Sequence, residues 1–218
     1  MEKINLKAYQ LLIEGADLIE KDGFGVKVLD SKKGEMIKLF RRKRFFSSAL
    51  FTPYAVRFAN NAKRLTQLNI PTISVNRLLW CADIKRHIVI YKRLEGELLR
   101  EVLSNQTGHI EDLYQKFAAF IAELHEKGVY FRSAHLKNIL LLPNGEFGLI
   151  DISDMQIKRG PLSLVLRERN FSHILQHQED KDLIASHYKS FVSSYFKKSQ
   201  LEETQQSRLD QSIRSILA

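Results

Sequence analysis

Residues 128–154, GVYFRSAHLKNILLLPNGEFGLIDISD, constrain this chain more than any other stretch. Their apolar runs are too short for helices, and a Gly-containing turn separates two of them. The segment therefore reads as a turn, a loop, a strand, a tight turn and a second strand. Asn138 stands where the loop enters the first strand, and Asp151 where the second strand ends. Adjacent strands would bring an amide oxygen and a carboxylate together, a donor set that suits Mg²⁺ carrying nucleotide phosphates. The alternative for the same two residues is a capping Asn and a turn Asp.

The flanking sequence divides in two. ADLIEKDGFGVKVLDSKKGEMIKLFRR alternates apolar and polar residues around Gly-containing turns, which predicts three antiparallel strands near 17–21, 25–30 and 35–41. TPYAVRFANNAKRLTQLN then reads as a helix, with Thr52 as cap, Pro53 in the first helical position and Pro71 as its end. Its apolar side includes Val56, Ala59, Leu65 and Leu68. TISVNRLLWCAD and RHIVIYKRL follow as two more strands.

Beyond Leu94 the period becomes helical. EDLYQKFAAFIAELHEKG places Leu113, Phe117, Phe120, Ile121 and Leu124 on one face and stops at Gly128. After Pro161 the chain reads as helices to its end. The expected fold is α+β and two-lobed. Residues 1–93 form a five-stranded antiparallel N-lobe with one helix. Residues 94–218 form a mainly helical C-lobe holding the loop segments 129–138 and 147–154. The lobes join near Tyr91–Gly96, a kind of boundary where ligand sites favour forming.

The chain's 218 residues suffice for two such lobes, and 44% hydrophobic with 27% charged residues is an ordinary globular balance. No apolar run approaches the roughly 20 residues of a membrane span, and the N-terminus lacks the features of a signal peptide. One cysteine, Cys81, excludes an internal disulfide and fits a reducing compartment; next to Trp80 on a half-buried strand it reads as a structural thiol. The net charge of +9 points to an anionic partner, against the plainer alternative of a solvated basic surface.

The element order, with FRSAHLKNILL and GLIDISD, resembles the protein-kinase-like fold. Within it the chain is similar to the lipopolysaccharide kinase branch, comprising Kdo and core-heptose kinases and the related toluene-tolerance proteins. The resemblance covers roughly residues 15–180, with KDGFG, MIKLF and RERNFSHIL as weaker support. It implies a cytoplasmic protein, peripheral to the inner membrane, that uses ATP and Mg²⁺ to phosphorylate a sugar of lipopolysaccharide core. It also implies roles for single residues. Lys38 would reach the nucleotide phosphates, Gly23 and Gly25 would let a turn approach them, and the backbone from Tyr91 through Arg93 to Leu94 would meet adenine. Asn138 and Asp151 would hold Mg²⁺.

Two departures matter. Against the kinase pattern H-R-D-L-x-x-x-N, this chain has Phe131 for His, keeps Arg132, has Ser133 for the catalytic Asp and keeps Asn138. A Ser hydroxyl is a poor base at neutral pH. His135 reads equally well as a general base or phosphate contact and as a loop histidine with no catalytic role, and Asp154 is a second carboxylate candidate. The helix at 53–68 also lacks the Glu that would pair with Lys38; Asn60 and Asn61 are its nearest polar residues. Two outcomes stay open: a phosphotransferase with an altered catalytic arrangement, or a pseudokinase that serves as a binding or scaffold module in envelope biogenesis.

The run KLFRRKRFFSS (38–48) interleaves Arg41, Arg42, Lys43 and Arg44 with Phe40, Phe45 and Phe46. That mixture suits a phosphorylated glycolipid headgroup or an anionic membrane surface. Nucleic acid is not the expected partner, since no nucleic-acid-binding motif accompanies the run. His173 and His177, four apart on an expected helix, read as a helix face without a third metal ligand.

Overall fold

The computed structural model describes residues 1–41, 53–105 and 110–218. The expected cap Thr52 and residues 42–48 of the basic run lie outside the described residues. The chain forms two units, Met1–Leu94 and Glu95–Ala218. The fold is α+β, a sheet unit followed by a mainly helical one.

The first unit opens with β1 (Glu2–Ile4) and α1 (Leu6–Ile13), then β2 (Asp17–Asp22), β3 (Gly25–Asp30), β4 (Glu35–Arg41), α2 (Tyr54–Gln67), β5 (Ser74–Cys81) and β6 (Arg86–Lys92). The five antiparallel strands expected from the alternation are present. The structure adds β1, which pairs in parallel with β5, and α1, whose N-terminus is capped by the Asn5 side chain accepting from Ala8 N at 2.9 Å. The strand order is β1-β5-β6-β4-β3-β2. Three residues are too few for an alternating pattern to stand out, so β1 carried no periodic signal.

Side chains alternate across the sheet. Ile37, Leu39, Ile88 and Ile90 form one buried face, against which Ile4, Tyr9, Leu12 and Ile13 pack from β1 and α1. The opposite face carries Lys38, Phe40 and Tyr91, where Phe58 of α2 meets both Phe40 and Tyr91. Cys81 is buried in the first of these cores, as a structural thiol should be.

Three details of α2 differ from expectation, the first being that Ala55, Phe58, Asn61 and Ala62 are buried beside Leu65 whereas Val56, Ala59 and Leu68 are only half-buried. Pro53 is the N-cap, with φ −55° and ψ 145°, and not the first helical residue. The helix also ends before Pro71. Asn69 takes a left-handed φ of 54°, Asn69 N donates to Thr66 O, and Ile70 N donates to Leu65 O at 2.9 Å. This double bond pattern satisfies the last carbonyls and turns the chain.

The second unit comprises β7 (Glu97–Leu98), α3 (Leu99–Asn105), α4 (Glu111–Glu126), β8 (Val129–Phe131), β9 (Ile139–Leu141), β10 (Phe147–Leu149), β11 (Met155–Ile157), α5 (Leu164–Ile174), α6 (Gln178–Ser186), α7 (Tyr188–Lys198) and α8 (Glu203–Leu217). β10, β9 and β7 form a small sheet, and β8 pairs with β11. Helix α4 runs through the core: Phe117 meets Phe147 and Phe191, and Phe171 packs on Phe191 and Tyr195. Leu113 is only half-buried, and Tyr114 and His125 take buried places on α4 that the apolar count passed over. Gly128 does end this turn: its φ is +74°, and a Cβ there would lie 2.4 Å from Gly160 O. His173 closes α5 and His177 precedes α6, so the two do not share a helix.

Candidate active site

The site residues of the second unit lie between β8 and β11. After Phe131 the chain turns through Arg132–His135 into a short 3₁₀ turn, Leu136–Asn138, and then enters β9. β10 lies antiparallel to β9, with Leu149 opposite Ile139. One bond beyond the ladder, Ile150 N donates to Asn138 O at 3.0 Å. This ties the end of the loop to the residue before Asp151, so the two sequence candidates are held side by side.

Asn138 is buried, and its amide is oriented by its neighbours. Nδ2 donates to Ser133 O at 2.9 Å and lies 3.2 Å from His135 Nε2. A carbonyl can only accept, so the amide nitrogen must face Ser133. The amide oxygen takes no hydrogen bond among the described residues and is the atom left for a cation. Asp151 has φ 49° and ψ 46°, a left-handed conformation uncommon for a residue with a Cβ. Such strain concentrates at functional sites. Here it follows directly from the turn that leaves β10 for the 3₁₀ turn Ile152–Asp154. Ser153 Oγ donates to Asp151 Oδ1 at 3.5 Å, a long contact.

Among the described residues no three His, Cys, Asp or Glu side chains cluster as a metal site. An amide oxygen with a single carboxylate still fits Mg²⁺, which keeps several waters and takes further oxygens from phosphate.

The three acid–base candidates are differently placed. Ser133 is half-buried, and its carbonyl serves Asn138. His135 makes an edge-to-face contact with His177, ring centroids 5.1 Å apart. Burial holds its imidazole below the usual histidine range; His177 and Arg100 push the same way, and Asp180 and Asp151 oppose them. Asp154 faces Arg132: Nη1 donates to its Oδ1 at 3.4 Å, and Arg132 N donates to its backbone oxygen at 3.2 Å.

Below the loop lie two buried polar assemblies that sequence reasoning missed. In the first, Asp180 of α6, fully buried, accepts from Arg100 of α3 and also from Leu136 N at 3.2 Å. In the second, Arg167 Nη1 donates to Tyr195 Oη at 3.1 Å, Tyr195 Oη lies 2.8 Å from His125 Nδ1, His125 Nε2 lies 3.0 Å from Asn170 Oδ1, and Asn170 Nδ2 donates to Phe131 O at 2.7 Å. Asn170 Oδ1 can only accept, so His125 carries its proton on Nε2 and accepts a hydrogen bond from the Tyr195 hydroxyl at Nδ1. Complete burial holds His125 neutral, its pKa pushed down to about 3, and burial raises the Tyr195 phenol to about 12. The chain of donors ends on the carbonyl of the last β8 residue, immediately before the loop. One signal for His125 was present: it falls four residues after Ile121, a polar residue on the apolar stripe of α4.

In the first unit Lys38 projects from the middle of β4 and is buried, with Nζ 5.3 Å from the Phe58 ring centroid and 5.6 Å from that of Phe40. The aromatic faces offset part of the cost of burying its charge. Asn61, one helical turn beyond Phe58, is buried on the same side of α2, whereas Asn60 faces solvent. Gly23 and Gly25 lie in the β2–β3 hairpin, which Asp22 Oδ1 closes by accepting from Phe24 N at 2.8 Å. Open space surrounds both glycines. Arg41 stacks over the Phe24 ring at 3.4 Å, and Arg86 donates to Phe24 O. Tyr91 is half-buried and Arg93 exposed.

No family model and no curated protein matches the chain. Solved structures resembling it include two of WbdD, described in one case as a bifunctional kinase-methyltransferase. One is 14% identical, covering 86% of this chain and 48% of that one with a TM-score of 0.49; the other is 15% identical, covering 86% and 47%, again with a TM-score of 0.49. A third is a divergent kinase lacking the glycine-rich loop that regulates membrane ultrastructure of the Toxoplasma parasitophorous vacuole, at 14% identity, covering 86% of this chain and 62% of that one with a TM-score of 0.41. The chain thus spans about half the length of the WbdD structures. Among the described residues no helix is long and apolar enough to cross a membrane.

Proposed function

We propose that this is a kinase-like protein that binds ATP with Mg²⁺ and transfers the γ-phosphoryl group to a sugar hydroxyl of lipopolysaccharide core. The observation that carries the reading is the pairing of Asn138 with Asp151. A backbone bond joins their segments, the amide nitrogen is engaged, and its oxygen takes no hydrogen bond among the described residues. Bound Mg²⁺ would neutralise charge on the transferred group and orient it. Asn138 and Asp151 would hold that ion, and the sequence resemblance implies that Lys38 would contact nucleotide phosphates. The same resemblance implies that the backbone of Tyr91–Leu94 would meet adenine and that the Gly23–Gly25 turn would approach phosphates.

The acceptor comes from the resemblance of FRSAHLKNILL and GLIDISD to lipopolysaccharide kinases. Basic residues, in a chain of net charge +9, suit its phosphorylated headgroups and an anionic membrane surface. The protein would act in the cytoplasm, peripheral to the inner membrane.

A second reading is a pseudokinase that binds nucleotide without transfer. One observation favours it: Ser133 offers only a hydroxyl, and the Asp154 carboxylate faces Arg132. Calorimetry with ATP in the presence and absence of Mg²⁺, followed by a radiolabel transfer assay on core lipopolysaccharide, tests both. Mg²⁺-dependent binding with transfer supports the kinase, binding without transfer supports the pseudokinase, and no binding removes both.

A further inference from the structure

We propose that His135 is a positioning residue, which by accepting a hydrogen bond from Asn138 fixes the side-chain amide in the orientation that presents its oxygen to a cation. This deepens the reading of the Asn138–Asp151 site and rests on it. The amide nitrogen carries two N–H donors. Ser133 O takes one at 2.9 Å, and the other ring-facing donor meets His135 Nε2 at 3.2 Å. Because the nitrogen is assigned by the Ser133 carbonyl, Nε2 has to be the acceptor. Neutral His135 then carries its proton on Nδ1, which is buried and makes no hydrogen bond.

This bond has a consequence for chemistry. The lone pair a general base needs is already used on Nε2, and the other ring nitrogen is buried. His135 therefore acts through Asn138 and not on the acceptor hydroxyl. Without the imidazole, one N–H of a buried amide loses its acceptor, a penalty of the size that shifts an orientation equilibrium about tenfold. The competent orientation then rests on Ser133 O alone and loses population, and apparent cation affinity falls by up to that factor.

The test uses the 218-residue chain, Mn²⁺ with ATP as the probe, and the variants His135→Leu and His135→Gln. Glutamine places an amide oxygen near the position of Nε2 and keeps an acceptor there; leucine does not. Affinity is read from Mn²⁺ electron paramagnetic resonance. The imidazole tautomer is read from nitrogen chemical shifts of the ligand-free wild type at neutral pH. The expected result is a proton on Nδ1, Mn²⁺·ATP binding weakened by up to about tenfold for His135→Leu, and binding closer to wild type for His135→Gln.

A proton on Nε2 overturns the proposal even if the leucine variant fails to fold. Wild-type affinity in His135→Leu, or equal loss in both variants, also overturns it. If wild type binds no Mn²⁺·ATP although the tautomer is as expected, the cation-site reading falls and the proposal with it. If both variants bind as wild type does but neither transfers phosphate, His135 is the base and not a positioning residue.

Discussion

Arg100 grips Asp180 with two parallel hydrogen bonds, Nε to Oδ1 at 2.7 Å and Nη2 to Oδ2 at 2.8 Å, eighty residues apart in the chain. Both side chains are buried, and the same Oδ2 receives Leu136 N from the loop that carries Asn138. The pair therefore joins α3 and α6 under the candidate site.

Removing one partner leaves the other charge buried. Asp180→Ala should cost about 3–5 kcal/mol in urea unfolding. Replacing both partners by apolar residues, Arg100→Met with Asp180→Leu, should cost less than Asp180→Ala alone, because no charge is orphaned. A double variant less stable than the single one would mean that the acceptor for Leu136 N matters more than the ion pair.

His125 gives the fold a pH dependence of defined sign. Its folded pKa, about 3, lies below the unfolded value near 6.5. The unfolded chain therefore binds more protons across that interval. The contribution of His125 is fully present above pH 6.5 and is lost as pH falls toward 3. The slope approaches about 1.4 kcal/mol per pH unit. His135 and His173, also held low by burial, add in the same direction. Unfolding free energy measured at pH 6 and pH 5 should fall, and His125→Gln should flatten that fall by up to the share of one histidine. An unchanged slope in the variant would show that His125 is protonated in the folded protein.

Asp151→Ala should abolish Mg²⁺-dependent ATP binding more completely than Ser133→Ala. Asp151 brings the negative charge, whereas Ser133 engages Asn138 through its backbone carbonyl, which alanine retains. Calorimetry with Mg²⁺ and ATP decides the matter, and equal binding by wild type and Asp151→Ala removes the ligand assignment.

Lys38→Met should lower ATP affinity by about 10- to 100-fold, the range for losing a hydrogen bond from a charged donor. The methionine stem can still pack against Phe40 and Phe58, so thermal stability should change little. Unaltered nucleotide affinity would return Lys38 to a purely structural place in the sheet.

Strand and helix positions in both units were legible because their cause is local. The alternation in GVKVLD and EMIKLFR and the 3.6-residue period of α4 are properties of adjacent residues. The same holds for Asn138 and Asp151, whose spacing around one hairpin depends on a turn of a few residues. What lay beyond reach depended on distant partners. Nothing near Arg100 signals Asp180, and nothing near Phe131 signals that its carbonyl ends a donor chain running through Asn170, His125, Tyr195 and Arg167. β1 finds its place only because β5, some seventy residues later, offers an edge.

His135 shows the division within one residue. By itself the sequence determined that an imidazole stands three residues before Asn138, in a loop where a base or a phosphate contact is plausible chemistry. Only the tertiary structure decided which ring nitrogen is engaged. A 3₁₀ turn brings the amide back onto Nε2, while α3 and α6 bury the loop from below. Hydrogen-bond direction depends on which donors and acceptors meet in space, and spacing along a chain does not carry that information.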